Sequence, residues 1–360
     1  MKKISYTELS SILLSIIITF HSGITINILK NQVGIDSWIS IILSYIIGII
    51  PILLTLYISN YEDKLNIFEK NINLFGKIIG NIINTLISII LFIIGITILY
   101  NIVNFITTQY IYHTPMLLTS LIFMLVIIYC STKEINVICH ISLILITFNI
   151  ILYILTGISL INEIKLDNLL PILKTDISNI LVSGIKLTTI NTLPVLTLLI
   201  IPKDKITNKK KYNKSILLAY LIGFIMSLFT ITSTISILSI HLTKVFEYSE
   251  YMVLKKIKLL GFLERTENII SMQWITESYI YLTIIIYTIS KNITNNHKKL
   301  KYINTIIGLL LVITSNYLFK NITKYNIFIN TKFIYIISIL FPIYIIITIK
   351  ILINKKLLKY

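Results

Sequence analysis

The chain has 360 residues, 56% of them hydrophobic and 13% charged, with a formal net charge of +17. So few polar side chains cannot coat a soluble globule of that size. The two cysteines, Cys130 and Cys139, flank one short connection expected on the cytoplasmic side, where thiols are normally reduced, and belong to no metal or redox motif.

Apolar runs follow one another almost end to end, at 8–28, 36–58, 78–105, 115–130, 135–158, 177–201, 214–240, 268–290, 302–319 and 331–354. A bilayer core takes about 20 apolar residues of helix, and in lipid every backbone amide must find a partner in its own segment or a neighbour. The runs therefore predict an all-α polytopic membrane protein with ten spans in a single integral domain, 1–360. The alternating strands of an outer-membrane barrel are absent from the sequence.

Span 1 carries Thr19, Phe20, His21, Ser22, Gly23, Ile24 and Thr25 between two apolar halves. Gly weakens a helix by about 1 kcal/mol relative to Ala, and Ser and Thr offer the backbone other hydrogen bonds, so unwinding is expected there. The first run is too long for a cleaved signal peptide and lacks a small-residue cleavage site. In span 3, Tyr100 and Asn104 lie four apart on one face and are candidates for the wall of a central cavity. His140, Asn149 and Tyr153 of span 5 read as interhelical hydrogen-bond partners.

Span 6 repeats the interruption with Gly184, Lys186, Thr188, Thr189, Asn191 and Thr192 ahead of Pro194, whose ring removes a helical hydrogen bond. Breaks in the first helix of each five-helix half match inverted-repeat transporters, in which half-helix ends near the bilayer midplane meet the ligand. The competing reading is that Gly and Pro there serve close packing or a kink. Lys186 deep in its span is costly unless it pairs or faces water. Glu277 of span 8 is its natural counter-charge, so ligand contact and a Lys186–Glu277 pair both remain open. The connection 161–177 is expected to cap the cavity from outside. The connection 241–266 is expected to hold an outer interfacial helix at about 247–264, with an apolar stripe at 253, 254, 257 and 260 opposite Lys255, Lys256 and Lys258.

With the N-terminus cytoplasmic, 20 of the 32 Lys and Arg fall in inside segments and 11 outside. The run Lys203, Lys205, Lys209, Lys210, Lys211 and Lys214 dominates, so the positive charge reads as a topology signal and not a nucleic-acid surface. Both termini are expected in the cytoplasm. No nucleophile with its base, phosphate-cradling loop or metal-ligand spacing is found in the sequence, so no enzyme, cofactor or metal is expected.

The string from Gly261 to Trp274, GFLERTENIISMQW, resembles the segment before the eighth helix in the B subunits of spore germinant receptors. The opening ISYTELSSILLSIIITFHSGI, the run GIDSWISIILSYIIGII and the string DNLLPIL from Asp167 to Leu173 resemble family segments in the same order, so the likeness covers almost the whole chain. The sequence departs from the pattern at 248–251, which lacks a proline before the interfacial helix, and at Pro194, where the resemblance implies an acidic residue of the family's ion-binding arrangement. The resemblance places the chain in the amino acid, polyamine and organocation transporter superfamily. It implies ten helices in a five-plus-five inverted repeat, about 8–158 and 177–354, with helices 1 and 6 broken. It further implies a B subunit in the spore inner membrane, partnered by a membrane A subunit and a lipoprotein C subunit, that binds a small germinant such as an amino acid. On that reading the amides near Ser22, Gly23 and Ile24 take the ligand's carboxylate, and His21, Tyr100, Asn104, Lys186, Thr188, Thr189, Asn191 and Glu277 complete the candidate site. A working amino-acid or cation symporter is the alternative.

Overall fold

The first helix starts at a reciprocal cap: Glu8 N–H donates to Ser5 Oγ at 3.0 Å and Ser5 N–H to Glu8 Oε2 at 2.7 Å, satisfying amides that a helix start leaves open. In the computed structural model, which describes residues 3–255 and 267–357, this helix is α1, Tyr6–Ile18. A π-type turn, His21–Thr25, leads into α2, Ile26–Gln32. Then come α3 (Ser37–Ser59), α4 (Ile67–Gln109), α5 (Met116–Ser131) and α6 (Ile135–Leu160). Helix α7 (Ile177–Thr192) tightens into a 3-10 stretch, Leu193–Ile200. Beyond it lie α8 (Lys209–Val245), α9 (Ser249–Lys255), α10 (Glu267–Ile293) and α11 (His297–Leu318). The last stretch is α12 (Ile322–Phe328), a π-type turn at Ile329–Phe333, α13 (Ile334–Ser338) and α14 (Leu340–Leu357).

Among the described residues, eight helical stretches are long and apolar enough to cross a membrane: Tyr6–Gln32, Gly34–Ser59, Ile67–Gln109, Ile135–Glu163, Ile177–Ile200, Lys209–Val245, Glu267–Ile293 and Ile322–Lys355. Each of the other two apolar runs also lies on a helix. One is the shorter α5, and the other is α11, which opens on Lys298, Lys299 and Lys301. Helices of this length satisfy their own backbone in the lipid core, and the protein is an integral membrane protein. Isoleucines and leucines such as Ile78, Ile82, Ile122 and Leu125 stand exposed on the outer surface, where lipid is as good a solvent as protein.

The first span is the axis of the bundle. Leu13, Ile16, Ile17 and Phe20 are fully buried, and α1 packs against α8, α6 and α10 while α3 packs along α7. The α3–α7 approach is close because Gly184 has no side chain: a Cβ there would lie 3.1 Å from Leu43 Cβ and 3.3 Å from the Ser40 carbonyl.

Connections meet at two opposite ends. At one, Ile4 N–H donates to Lys205 O at 2.9 Å and Asp204 N–H to Asp63 O at 2.9 Å, while Lys209 Nζ reaches Asp63 at 2.6 Å. At the other, the carboxylate of the fully buried Asp36 accepts from Leu173 N–H at 2.8 Å and Thr175 N–H at 2.9 Å. The connection expected to cap the cavity is therefore anchored to the start of α3. Of the expected interfacial helix, α9 is described, and Val253 and Leu254 pack with Leu160 and Leu238. Residues 256–266, which hold the rest of that helix and most of the GFLERTE string, lie outside the described residues.

Candidate functional site

The unwinding expected in span 1 is at Ser22 (φ −81°, ψ 122°) and Gly23 (φ 78°, ψ −32°), which leave helical geometry in the middle of an otherwise buried span. Positive φ of this kind costs other L-residues about 1–2 kcal/mol, and space reinforces the requirement. A Cβ on Gly23 would stand 3.0 Å from Asn101 Oδ1 and 3.0 Å from Trp274 Cη2.

The backbone groups freed by the break are met by side chains from distant elements. Asn101 Nδ2 of α4 donates to the Ser22 carbonyl at 3.1 Å, and Asn27 Nδ2 donates to the Gly23 carbonyl. The Gly23 N–H donates to Glu250 Oε1 of α9 at 3.2 Å. That amide, expected to receive a ligand's carboxylate, is held by the protein's own carboxylate. Glu247 accepts from Asn27 Nδ2 at 2.8 Å and from Asn326 Nδ2 at 3.0 Å, and Lys30 Nζ donates to the Phe246 carbonyl at 2.7 Å. The connection at Phe246 and Glu247 is thereby tied to α2, and through Glu247 to α12. An aromatic roof covers the break, with the Phe105 ring 4.5 Å from Trp274 and 5.1 Å from Tyr248.

The expected site residues separate into groups. His21, Ser22 and Glu277 line one small cavity, together with Tyr153, Thr230 and Gln273. His21 Nε2 lies 2.6 Å from Ser227 Oγ, which is also 2.6 Å from Tyr45 OH. Glu277 accepts from Asn149 Nδ2 at 3.4 Å. Ile24 is buried beside the break. Tyr100 packs 4.8 Å from Tyr325 and edge-on at 5.1 Å from Phe319. Asn104 donates to Tyr248 OH in the roof. Lys186 donates to Gln32 Oε1 at 3.0 Å, which Ser183 Oγ also reaches, and among the described residues no ion pair joins it to Glu277. Thr188 and Thr189 line a groove with Ile47, Pro51 and Phe341, and Asn191 is buried with its Oδ1 unpartnered.

Sequence reasoning passed over Glu250, Asn101, Gln273 and Trp274. Two of them carried a signal: Asn101 is three residues from Asn104 on the same helix, and Glu250 is three from Glu247 in a connection otherwise rich in lysine.

Burial pushes the Glu250 carboxyl from its ordinary 4.5 up to about 7, against the pull of the Gly23 amide and Lys30. A carboxyl whose pKa is raised on folding favours the fold at low pH, and that contribution is lost as pH climbs from the unfolded value through the folded one. Purified protein is therefore expected to melt at progressively lower temperature between pH 5 and pH 8. Glu250→Gln should flatten that dependence by about 3 kcal/mol, taking about 1.36 kcal/mol per pKa unit. A variant as pH-sensitive as the wild type would show that Glu250 is not the group responsible.

The family model described as spore germination protein matches residues 3–322 of the chain. A search of curated proteins finds the chain 26% identical over 324 residues to the "Putative spore germination protein YfkT" of Bacillus subtilis (strain 168), covering 87% of this chain and 88% of that protein. The chain belongs to the spore germination protein family.

Proposed function

We propose that this member of the spore germination protein family is a B-type germinant receptor subunit of the spore inner membrane. It binds a small germinant, such as an amino acid, at the interruption of its first span. It signals to an A membrane subunit and a C lipoprotein, with both of its own termini cytoplasmic. The architecture proposed with it is a single domain, 1–360, of ten helices in a five-plus-five inverted repeat (about 8–158 and 177–354), with an outer interfacial helix at about 247–264. This reading counts the eight long apolar stretches, with the shorter α5 and α11, as its ten passes. The turn at His21–Thr25 and the change of helix type after Thr192 stand at corresponding places in the two halves.

The observation that carries this reading is the buried break at Ser22 and Gly23, held by side chains of α4, α9 and α10. A ligand moves an equilibrium only by its differential affinity for two states, and a break stitched to three separate elements gives it something to redistribute. Lys186, Thr188, Thr189 and Asn191 of α7 are proposed as contacts formed when α7 approaches the break.

The test is germination of spores carrying Asn101→Leu, which removes the donor to the Ser22 carbonyl and keeps the number and branching of the side-chain heavy atoms. At normal abundance by immunoblot, the germinant concentration for half-maximal response is expected to rise at least tenfold; an unchanged response would overturn the reading. The placement of His21 and Glu277 in one buried cavity favours a second reading, a proton-coupled amino-acid symporter, because ionisable groups at that depth mark ion pathways. Concentrative uptake of labelled amino acid by proteoliposomes, driven by a pH gradient, would establish that reading in place of the first.

A further inference from the structure

A cavity of about 390 Å³ opens at the end of the bundle where Asp36 anchors the 161–177 connection. Its wall is assembled from four places: the end of α2 with Gln32, the turn at 33–35, the connection ahead of α7 with Lys174, Thr175 and Asp176, and the end of α8 with Ile240 and Lys244. That volume lies in the range of small-molecule sites, roughly 300–1,000 Å³. The cavity is separate from the break: none of the side chains that hold Ser22 and Gly23 lines it.

Several acceptors around this cavity are already spent. Both carboxylate oxygens of Asp36 accept from the Leu173 and Thr175 amides, the Val33 carbonyl accepts from Thr175 Oγ1 at 2.8 Å, and the Gly34 carbonyl accepts from Ser37 Oγ. The donors are not spent. Gln32 Oε1 accepts from Lys186 Nζ at 3.0 Å and from Ser183 Oγ at 3.1 Å, which fixes the amide by its oxygen and leaves Nε2 without a hydrogen-bond partner among the described residues. An ammonium on the amide oxygen also polarises the group and strengthens Nε2 as a donor. Lys174 and Lys244 are exposed, and among the described residues neither ammonium makes an ion pair. Of the lining residues only Asp176 carries a carboxylate, so the wall sets two ammoniums against one negative charge. Both lysines lie at the end opposite the lysine-rich 203–214 segment, where the positive-inside bias does not account for them.

We propose that this cavity is a second ligand site, for a small solute with one oxyanion head, a carboxylate or a phosphate. Lys174 and Lys244 supply positive charge from two elements, Gln32 Nε2 supplies a fixed donor, and Asp176 disfavours a polyanion. Lysine acts as a point charge and does not demand a planar, two-pronged acceptor, so the wall suits either head. An occupant ties the end of α2 and the connection ahead of α7 to the end of α8. The site goes beyond the germinant-sensing reading, and only its consequence for signalling rests on that reading.

The experiment is equilibrium dialysis of radiolabelled lactate and of radiolabelled orthophosphate against the purified full chain in non-ionic detergent at constant ionic strength. Saturable binding of at least one probe is expected, weakened at least tenfold when Lys174→Gln and Lys244→Gln are combined, and likewise by Gln32→Glu, in protein that elutes as a single species. Lys210→Gln, which removes a charge at the opposite end, is expected to bind as wild type does. Displacement of lactate by acetate identifies a carboxylate site, and displacement of phosphate by methyl phosphate identifies a phosphate site. Absence of saturable binding of both probes to folded wild type overturns the proposal, as does wild-type binding by the double lysine variant. Equal weakening by Lys210→Gln also overturns it, because that would mark a general effect of net charge. The two readings fail separately. A germination defect in Asn101→Leu spores without anion binding removes the cavity site and leaves the receptor; anion binding with normal Asn101→Leu germination does the reverse.

Discussion

On the proposed germinant-sensing function, spores carrying Gly23→Leu are expected to lose at least 100-fold in germinant sensitivity at normal abundance of the protein. Two independent terms set that magnitude. Gly23 sits at φ 78°, a left-handed conformation that costs a side-chain-bearing residue about 1–2 kcal/mol. Its Cβ position is 3.0 Å from both Asn101 Oδ1 and Trp274 Cη2, and overpacking a buried site costs about 1–3 kcal/mol. Together they amount to about 3 kcal/mol, or about 100-fold in an equilibrium constant at 1.4 kcal/mol per factor of ten. Relaxation of the strain also moves the partners: Asn101 leaves the Ser22 carbonyl, and the Gly23 amide turns from Glu250. Gly23→Ala keeps the conformational term and much of the close contact with a smaller side chain, so a loss of about tenfold is expected. Immunoblot and half-maximal germinant concentration measure both variants. If Gly23→Leu spores respond as wild type, the break is a packing kink and ligand recognition lies elsewhere.

The break was legible in the sequence because its signal is local. Gly23 between Ser22 and Thr25 weakens the helix wherever the segment is placed, and apolar length alone located the spans. The partners of the break were not legible, because they depend on helix phase and on how a connection folds back. Tyr100, Asn101 and Asn104 lie on one turn of α4, yet they reach an aromatic stack, the break and the roof respectively, and a difference of one residue rotates a side chain by about 100°. Glu250 reads in sequence as part of a solvated connection; only the fold of α9 against α8 and α10 turns it inward. Lys186 was singled out by its depth in an apolar run, but Gln32 at the end of α2 supplies an uncharged acceptor that no spacing rule links to it. The hydrophobic pattern therefore gave the spans, and the polar partners needed three dimensions.

Gly80→Val is expected to be the most damaging substitution away from the break. Helix α4 does not run straight: Gly76 at φ 79° and ψ 169° bends it, and the arm before the bend folds back against Gly80. A Cβ there would lie 2.7 Å from Ile72 Cα and 2.8 Å from the Asn71 carbonyl, backbone atoms that cannot swing aside. The bend is fastened by Asn71 Nδ2 donating to Asn84 Oδ1 at 2.8 Å and Asn84 Nδ2 donating to the Phe68 carbonyl at 3.0 Å. The arm carries Lys70, whose buried ammonium donates to the Ile58 and Ser59 carbonyls at 2.8 and 3.3 Å and so caps the C-terminus of α3. Housing the side chain costs the part of an overpacking term of about 1–3 kcal/mol that relaxation leaves, and the shift of the arm that relaxes the rest breaks a charged hydrogen bond of about 1.5–3 kcal/mol. A loss of more than about 3 kcal/mol follows, seen as reduced abundance and a lower melting temperature in detergent. Gly95→Ala is the matched control, because its Cβ would meet only the flexible end of Leu311 at 3.1 Å and the Ile285 side chain at 3.5 Å, so a much smaller effect is expected. Lys70→Met should reproduce part of the Gly80→Val defect without altering the bend. Wild-type abundance and melting in Gly80→Val would mean that the arm is not fastened to α4 as described, and that α3 ends without help from Lys70.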